Sequence, residues 1–457
     1  METVIMGNVR EKLILGSFIH SPNRGKVELL KNALLLINAD GKVIELIESS
    51  ESRYSSILNE SKSSNALYEI SSHQYIIPGF TDLHIHAPQW PQLGKALDVP
   101  LEEWLQKYTF PLEAKYHDEN FARMVYSDLV SSLLKSGTTT AVYYGTIHKE
   151  ANRILADICL NKGQRAIIGK VVMDNPEECP EYYRDVSTQS ALEGTSDFLN
   201  YVKNHSKNID NRVDVAVTPR FIPSCTDEVL QELGKLAKLQ SVYVQTHCSE
   251  SDWEHNYVIN RCGKSDTEAL MDYGLLNRST ILAHANFISE NDMELIKEEG
   301  AGIAHCPLSN FFFSDAVFPL RRALEKGLRV GLGTDIAGGP SSSIFDSGRS
   351  AISSARALEN GVDPSINRDQ RGRKDSRIDF SDAFYLATKG GADVLNIPTG
   401  SFEKEKHFDA LLIDTQVDNA KISIHEDVDN DQDVIQKMVM LATRSNIVRT
   451  WVSGLSV

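Results

Sequence analysis

The run Pro78-Gly79-Phe80-Thr81-Asp82-Leu83-His84-Ile85-His86-Ala87-Pro88-Gln89 decides how the rest of the chain reads. Tyr75, Ile76 and Ile77 lead into it with β-type side chains, a Pro-Gly hinge follows, and two histidines one residue apart end it. Side chains two apart on a strand share a face. His84 and His86 therefore project together, as two imidazoles meeting one metal ion must. Ala87-Pro88 stops the strand, because proline brings no donor to a β-ladder. Taken alone, a His-x-His pair is more often a surface or hydrogen-bonded feature than a ligand pair. The metal reading needs partners elsewhere.

Downstream, buried-type β runs alternate with amphipathic helical stretches, the pattern of a parallel α/β fold. Counting the opening run as 76–83, the others are 139–144, 165–173, 213–218, 242–247, 280–284, 301–305 and 328–334, with helical segments at 119–135, 187–204, 227–239, 266–273 and 318–326. Eight such strands are the count of a closed (β/α)8 barrel of the TIM type.

The flanks read differently. Short β runs occupy 13–19, 33–37 and 42–47, the last two joined by Asn38-Ala39-Asp40-Gly41, a hairpin signal. Serine and charge fill 49–65, which reads as a loop. Past the eighth strand come a polar insert at 367–376 and a helix at 380–394. β runs follow at 410–414, 438–442 and 448–452, with an acidic surface loop at 425–433. The expectation is a distorted (β/α)8 barrel over 76–397 beside a small β-sandwich built jointly from 1–75 and 398–457.

Composition narrows the partners. The chain has 457 residues and a formal net charge of −16, which argues against nucleic-acid phosphates or an anionic membrane as partner. A neutral small molecule suits that balance better. The six cysteines are scattered without a Cys-x-x-Cys pair, so neither a disulfide framework nor a zinc knot is expected. No signal peptide and no long apolar run is visible, and a cytoplasmic, soluble protein is the expectation.

The partners of His84 and His86 fall at strand ends. His247 ends the fifth run, His284 the sixth, and Asp335 follows the eighth, all on the side where barrel enzymes place their chemistry. His305 also ends a run and is read as structural. Three imidazoles and one carboxylate form a zinc-like ligand set, although iron or cobalt would also fit. Metal-held water falls from a pKa of ~15.7 toward ~7. Glu250, in His247-Cys248-Ser249-Glu250, is placed to move its proton.

These residues lead to a family. The Pro78–His86 run resembles the first-strand signature of the amidohydrolase superfamily. His247-Cys248-Ser249-Glu250, His284-Ala285-Asn286, His305-Cys306-Pro307 and Gly331-Leu332-Gly333-Thr334-Asp335 resemble its later signatures, in the right order. Within it, His86-Ala87-Pro88-Gln89, the 104–111 run and Thr218-Pro219-Arg220-Phe221 are similar to members that deaminate guanine.

The resemblance implies one Zn2+ held by His84, His86, His247 and Asp335, with Glu250 and His284 working beside it. The fourth strand ends in Thr218-Pro219-Arg220, with no lysine to carry the carbamate of a two-metal site. Gln89, Arg220 and Phe221 would hold a purine: the arginine on O6 and N7, the amide on the remaining ring edge, the phenyl ring against the base. Hydrolytic attack at C2, with Glu250 passing a proton to N3, would give xanthine and ammonia. His86, His247, Glu250 and Asp335 would touch substrate, and Asp335 would also act in catalysis, steadying the hydroxide with His284. A homodimer is also implied. The alternatives are a deaminase of another amino-heterocycle, such as a pterin, triazine or adenosine-like compound, and an inactive scaffold of the same fold. Phe311-Phe312-Phe313 reads as buried packing in preference to a pocket lid, and Glu405 stands where relatives usually carry glycine.

Overall fold

Two sheets share the polypeptide and change over at one glycine. The computed structural model describes residues 8, 9, 11–63 and 67–457. The first sheet begins with β1 (Leu13–Asn23), β2 (Lys26–Ile37), β3 (Val43–Ile47), β4 (Leu67–Glu69) and β5 (Gln74–Pro78). The second comprises β6 (Phe80–His86), β7 (Thr138–Tyr144), β8 (Arg165–Val172), β9 (Val213–Pro219), β10 (Tyr243–Cys248), β11 (Thr280–His284), β12 (Gly302–His305) and β13 (Arg329–Leu332). The chain returns to the first sheet with β14 (Ala410–Asp414), β15 (Ile447–Val452) and β16 (Leu455–Ser456).

Strands β6 to β13 run parallel in chain order, the topology of the expected barrel. The seam between β13 and β6 is closed at its C-terminal end by the site-bearing segments themselves. Asp335 N donates to His84 O at 2.9 Å, and His86 N to Ile336 O at 2.9 Å. Buried Asp82 latches the same seam, accepting from Thr334 Oγ1 (2.6 Å), Thr334 N (3.0 Å) and His84 N (3.2 Å). Gly333 is required here, since a Cβ would meet Cys306 Sγ at 2.8 Å and His84 Cβ at 2.9 Å.

The strand expected over 76–83 is instead two strands. Ile76 and Ile77 pair with Leu412 and Leu411 of β14, whereas Phe80 opens the barrel. The break falls at Gly79, where a Cβ would collide with Thr139 Oγ1 at 2.2 Å. The first sheet, ordered β16-β15-β14-β5-β1-β2-β3 with β4 beside β1, draws on both ends of the chain as expected. Phe18, Phe402, Phe408 and Trp451 fill its interior. Burying each such side chain is worth roughly 1.5–3 kcal/mol. A buried ion pair, Arg165 Nε to Asp409 Oδ2 at 3.1 Å, ties it to the barrel.

Two flank expectations are overturned. Residues 54–63 form a helix (Tyr54–Ser63) within the expected loop, because Tyr54, Ile57 and Leu58 cover Leu13, Leu34 and Ile47. The run 438–442 belongs to helix Asp431–Leu441, capped by Asn430. Its Val434, Ile435, Met438 and Val439 face the core at helical spacing, which outweighs the apolar run inside it. Glu405 adopts φ 68°, the left-handed conformation that a glycine turn demands. Among the described residues, no helix is long and apolar enough to cross a membrane.

Candidate active site

His84 and His86, at the end of β6, do project together: their ring centroids lie 4.9 Å apart. His247 from β10 closes on both, at 4.9 Å from His84 and 5.0 Å from His86. His86 Nε2 and His247 Nε2 face each other at 3.0 Å. Asp335 Oδ1 stands 3.1 Å from His84 Nε2 and 3.6 Å from His86 Nε2. His284 Nε2 reaches Glu250 Oε1 at 3.6 Å and Asp335 Oδ2 at 3.9 Å. Side chains from β6, β10, β11 and the segment after β13 thus converge on one point. All are buried. His284 (φ 69°) and Asp335 (φ 50°) adopt left-handed backbone, which turns the chain sharply at the barrel mouth.

The donor set fits a divalent cation. His84 Nε2 and His284 Nε2 make no hydrogen bond although both are buried. Burial first, and then nearby positive charge, holds His84, His86 and His247 well below the ordinary histidine pKa. Neutral imidazoles are the form that binds metal. Second partners fix two of the rings: His247 Nδ1 donates to Arg220 O at 2.6 Å, which frees Nε2 for the centre. His284 Nδ1 meets Asn310 Oδ1 at 3.0 Å, Asn310 Nδ2 donates to Asn286 Oδ1 at 2.7 Å, and Asn286 Nδ2 donates to Glu250 O at 2.8 Å. The ring and the acid loop are thereby held by one chain of amides. Burial, then repulsion from Asp335, pushes the Glu250 carboxyl well above the usual range. Cys306 lies near His84 and His284, but burial raises its thiol pKa well above normal and Sγ faces Ala304 O at 3.5 Å. It stays a thiol.

Beside this cluster is a pocket enclosing about 380 Å³ of space, part of it open to solvent. Gln89, Arg220 and Phe221 line it together with His86, His247, Glu250 and Asp335. Trp104 and Phe313, with ring centroids 5.0 Å apart, also line it.

The amidohydrolase family profile matches residues 75–457. The chain belongs to the amidohydrolase family. This amidohydrolase is 37% identical over 460 residues to guanine deaminase of Dictyostelium discoideum, covering 97% of each chain. It is 36% identical to guanine deaminase of Homo sapiens, covering 96% of this chain and 95% of that one. Among solved structures it resembles guanine deaminase from C. acetobutylicum with bound guanine, at 31% identity and a TM-score of 0.85, covering 98% and 99% of the two chains.

Not all of the amidohydrolase's site was read from its sequence. Tyr144 at the end of β7 packs against His84, His86 and His247 at 4.7–4.9 Å. Its strand-end position was a usable signal. Glu113 is buried behind Arg220 and Gln89, and nothing in its local sequence distinguishes it from a helix acid. The Phe311–Phe313 expectation needs correcting: Phe313 lines the cavity, while Phe311 and Phe312 are about half exposed. Phe313 turns inward because it follows the turn of helix Pro307–Phe313 that packs Asn310 on His284. His305 is buried against Phe318 and, among the described residues, belongs to none of the groups that could hold a metal.

Proposed function

We propose that the protein is a guanine deaminase, converting guanine and water to xanthine and ammonia. The observation that carries the reading is that Gln89, Arg220 and Phe221 line the same cavity as the histidine–aspartate cluster. Similarity to guanine deaminases over nearly the whole chain supports it.

His84, His86, His247 and Asp335 would hold one zinc ion, in keeping with their three imidazoles and one carboxylate. When bound, zinc supplies Lewis acidity that lets water ionise near neutral pH. Glu250 takes one proton from the attacking water to purine N3, a task suited to a carboxyl whose pKa burial has raised. It then carries the second from the new C2 hydroxyl to the amine, which leaves as ammonia as the C2–N bond breaks and the C2 carbonyl forms. His284 and Asp335 line the side from which water arrives and steady it by hydrogen bonding. Arg220 donates to the O6 and N7 acceptors, Gln89 meets the remaining edge, and Phe221 covers one ring face. A cytoplasmic homodimer acting in purine breakdown completes the reading.

The test is turnover by the purified protein with guanine, followed as ammonia release and as the change in purine absorbance, alongside metal analysis. Adenosine, a pterin and an aminotriazine are run in parallel. Guanine is expected to be the best substrate, with about one zinc per chain. Preference for another member of the panel, or no turnover by metal-loaded protein, would overturn it.

A further inference from the structure

Glu113 lies behind the wall of the cavity, bonded to two of the side chains that line it. It ends the helical stretch 101–113 and is completely buried. Its Oε1 accepts from Gln89 Nε2 at 2.9 Å and from Arg220 Nη2 at 3.2 Å. Its Oε2 accepts from Arg220 Nη1 at 2.8 Å and from Tyr183 Oη at 2.7 Å. An ionised carboxylate offers about four acceptor positions. All are taken, so Glu113 has nothing left for a ligand and acts through its partners.

What it imposes on them is orientation. A glutamine amide can be turned end for end, exchanging its donor and acceptor. Gln89 cannot, because its Nε2 faces the acceptor-only Glu113 while its Oε1 accepts from Ala337 N at 3.1 Å. Turning it would set donor against donor and acceptor against acceptor. Arg220 is gripped by two of its N–H groups, and its guanidinium lies over the Phe110 ring at 5.2 Å. Bidentate pairing fixes the plane of the fork, a third N–H faces Met173 Sδ at 3.9 Å, and about two remain for a ligand. The paired charges also cancel, so a neutral ring meets directed donors without a net field.

We infer that Glu113 is a positioning residue for specificity: by locking the Gln89 amide and the Arg220 guanidinium, it selects a 2-aminopurine ring bearing an oxygen acceptor at position 6. The inference rests on the guanine reading proposed above. Tyr183 serves the same end by holding Glu113 in place.

The comparison is between guanine and 2-aminopurine, which keeps the amino group and lacks the oxygen. The quantities are KM and kcat for guanine and the Ki of 2-aminopurine against it. In Glu113→Gln the new amide oxygen keeps Gln89 Nε2 and Arg220 Nη2, while its NH2 meets Arg220 Nη1 donor to donor, so the Gln89 amide stays held and the guanidinium that addresses position 6 loosens. KM for guanine is expected to rise roughly tenfold to a hundredfold, with kcat within about threefold and the 2-aminopurine Ki within about threefold. Tyr183→Phe, which keeps the carboxylate and its other partners, is expected to shift the same ratio a few-fold. It decides the matter should Glu113→Gln fail to fold. Equal weakening of both ligands, or a fall confined to kcat, is what mere structural support would give and would overturn the inference while leaving the guanine assignment intact. Wild-type protein that does not turn over guanine removes the parent reading and this one together.

Discussion

Replacing Thr334 by valine tests whether the barrel seam holds His84, His86 and Asp335 in place. Thr334 Oγ1 donates to Asp82 Oδ2 at 2.6 Å, and both residues are wholly buried. Valine keeps the size and β-branching of threonine, so no cavity opens. What disappears is one hydrogen bond to a carboxyl group, leaving Oδ2 without a partner. Such a loss costs about 1.5–3 kcal/mol, roughly a tenfold to hundredfold change in an equilibrium constant. The two remaining bonds to Oδ1, from Thr334 N and His84 N, keep the strands paired, so the damage is local. It lands between β6, which carries His84 and His86, and the segment carrying Asp335. The expected result is faster loss of zinc to a chelator, by about tenfold or more, with a melting midpoint only a few degrees lower at fixed scan rate. Thr334→Ser, which restores the hydroxyl, should recover most of the retention. Unchanged zinc retention in the valine variant, or a serine variant as leaky as valine, would refute the latch.

Three further changes probe separate parts of the molecule. Glu250→Gln should lower kcat about 10²–10⁴-fold while zinc stays bound, because the backbone bonds of this loop, Glu250 N to Glu254 and Asn286 to Glu250 O, do not use its carboxyl; activity within tenfold of wild type would remove it as the proton carrier. Asp409→Ala strands a buried Arg165 and takes an acceptor from Ser453 N, so it should cost about 3–5 kcal/mol, read as a large drop in melting midpoint. His255 has its pKa raised, chiefly by buried Asp266, whose Oδ2 lies 3.8 Å from its Nδ1. A raised folded pKa gives stability that is complete below the unfolded value of 6.5 and is lost as pH climbs through the folded one. His255→Asn should therefore lower the melting midpoint at about pH 5.5 and have little effect near pH 9; an equal drop at both would contradict that linkage.

The barrel was legible because its strands are continuous β-branched runs bounded by turn residues, and the convergence of His84, His86, His247, His284 and Asp335 because each closes or follows such a run. The changeover at Gly79 was harder. Ile77 and Phe80 differ little in β preference, so only the Pro78-Gly79 pair marks a strand passing from one sheet to another. The helix Asp431–Leu441 was misread where five consecutive apolar residues hide the 3.6-residue spacing visible over 434–439. Glu113 was invisible for a different reason: its meaning comes from Gln89, Tyr183 and Arg220, residues 24, 70 and 107 positions away. Pairing across such separations leaves no trace in a local window.

The place of β5 between β1 and β14 has a consequence for how the molecule is made. One neighbour, Leu13–Asn23, precedes it in the chain; the other, Ala410–Asp414, is made only after every barrel strand. Until then the hydrogen-bonding edge of Gln74–Pro78 is bare, and it leads directly into Phe80–His86. Ala410–Asp414 therefore covers that edge late, and removing it would leave a sticky flank before it touched the chemistry.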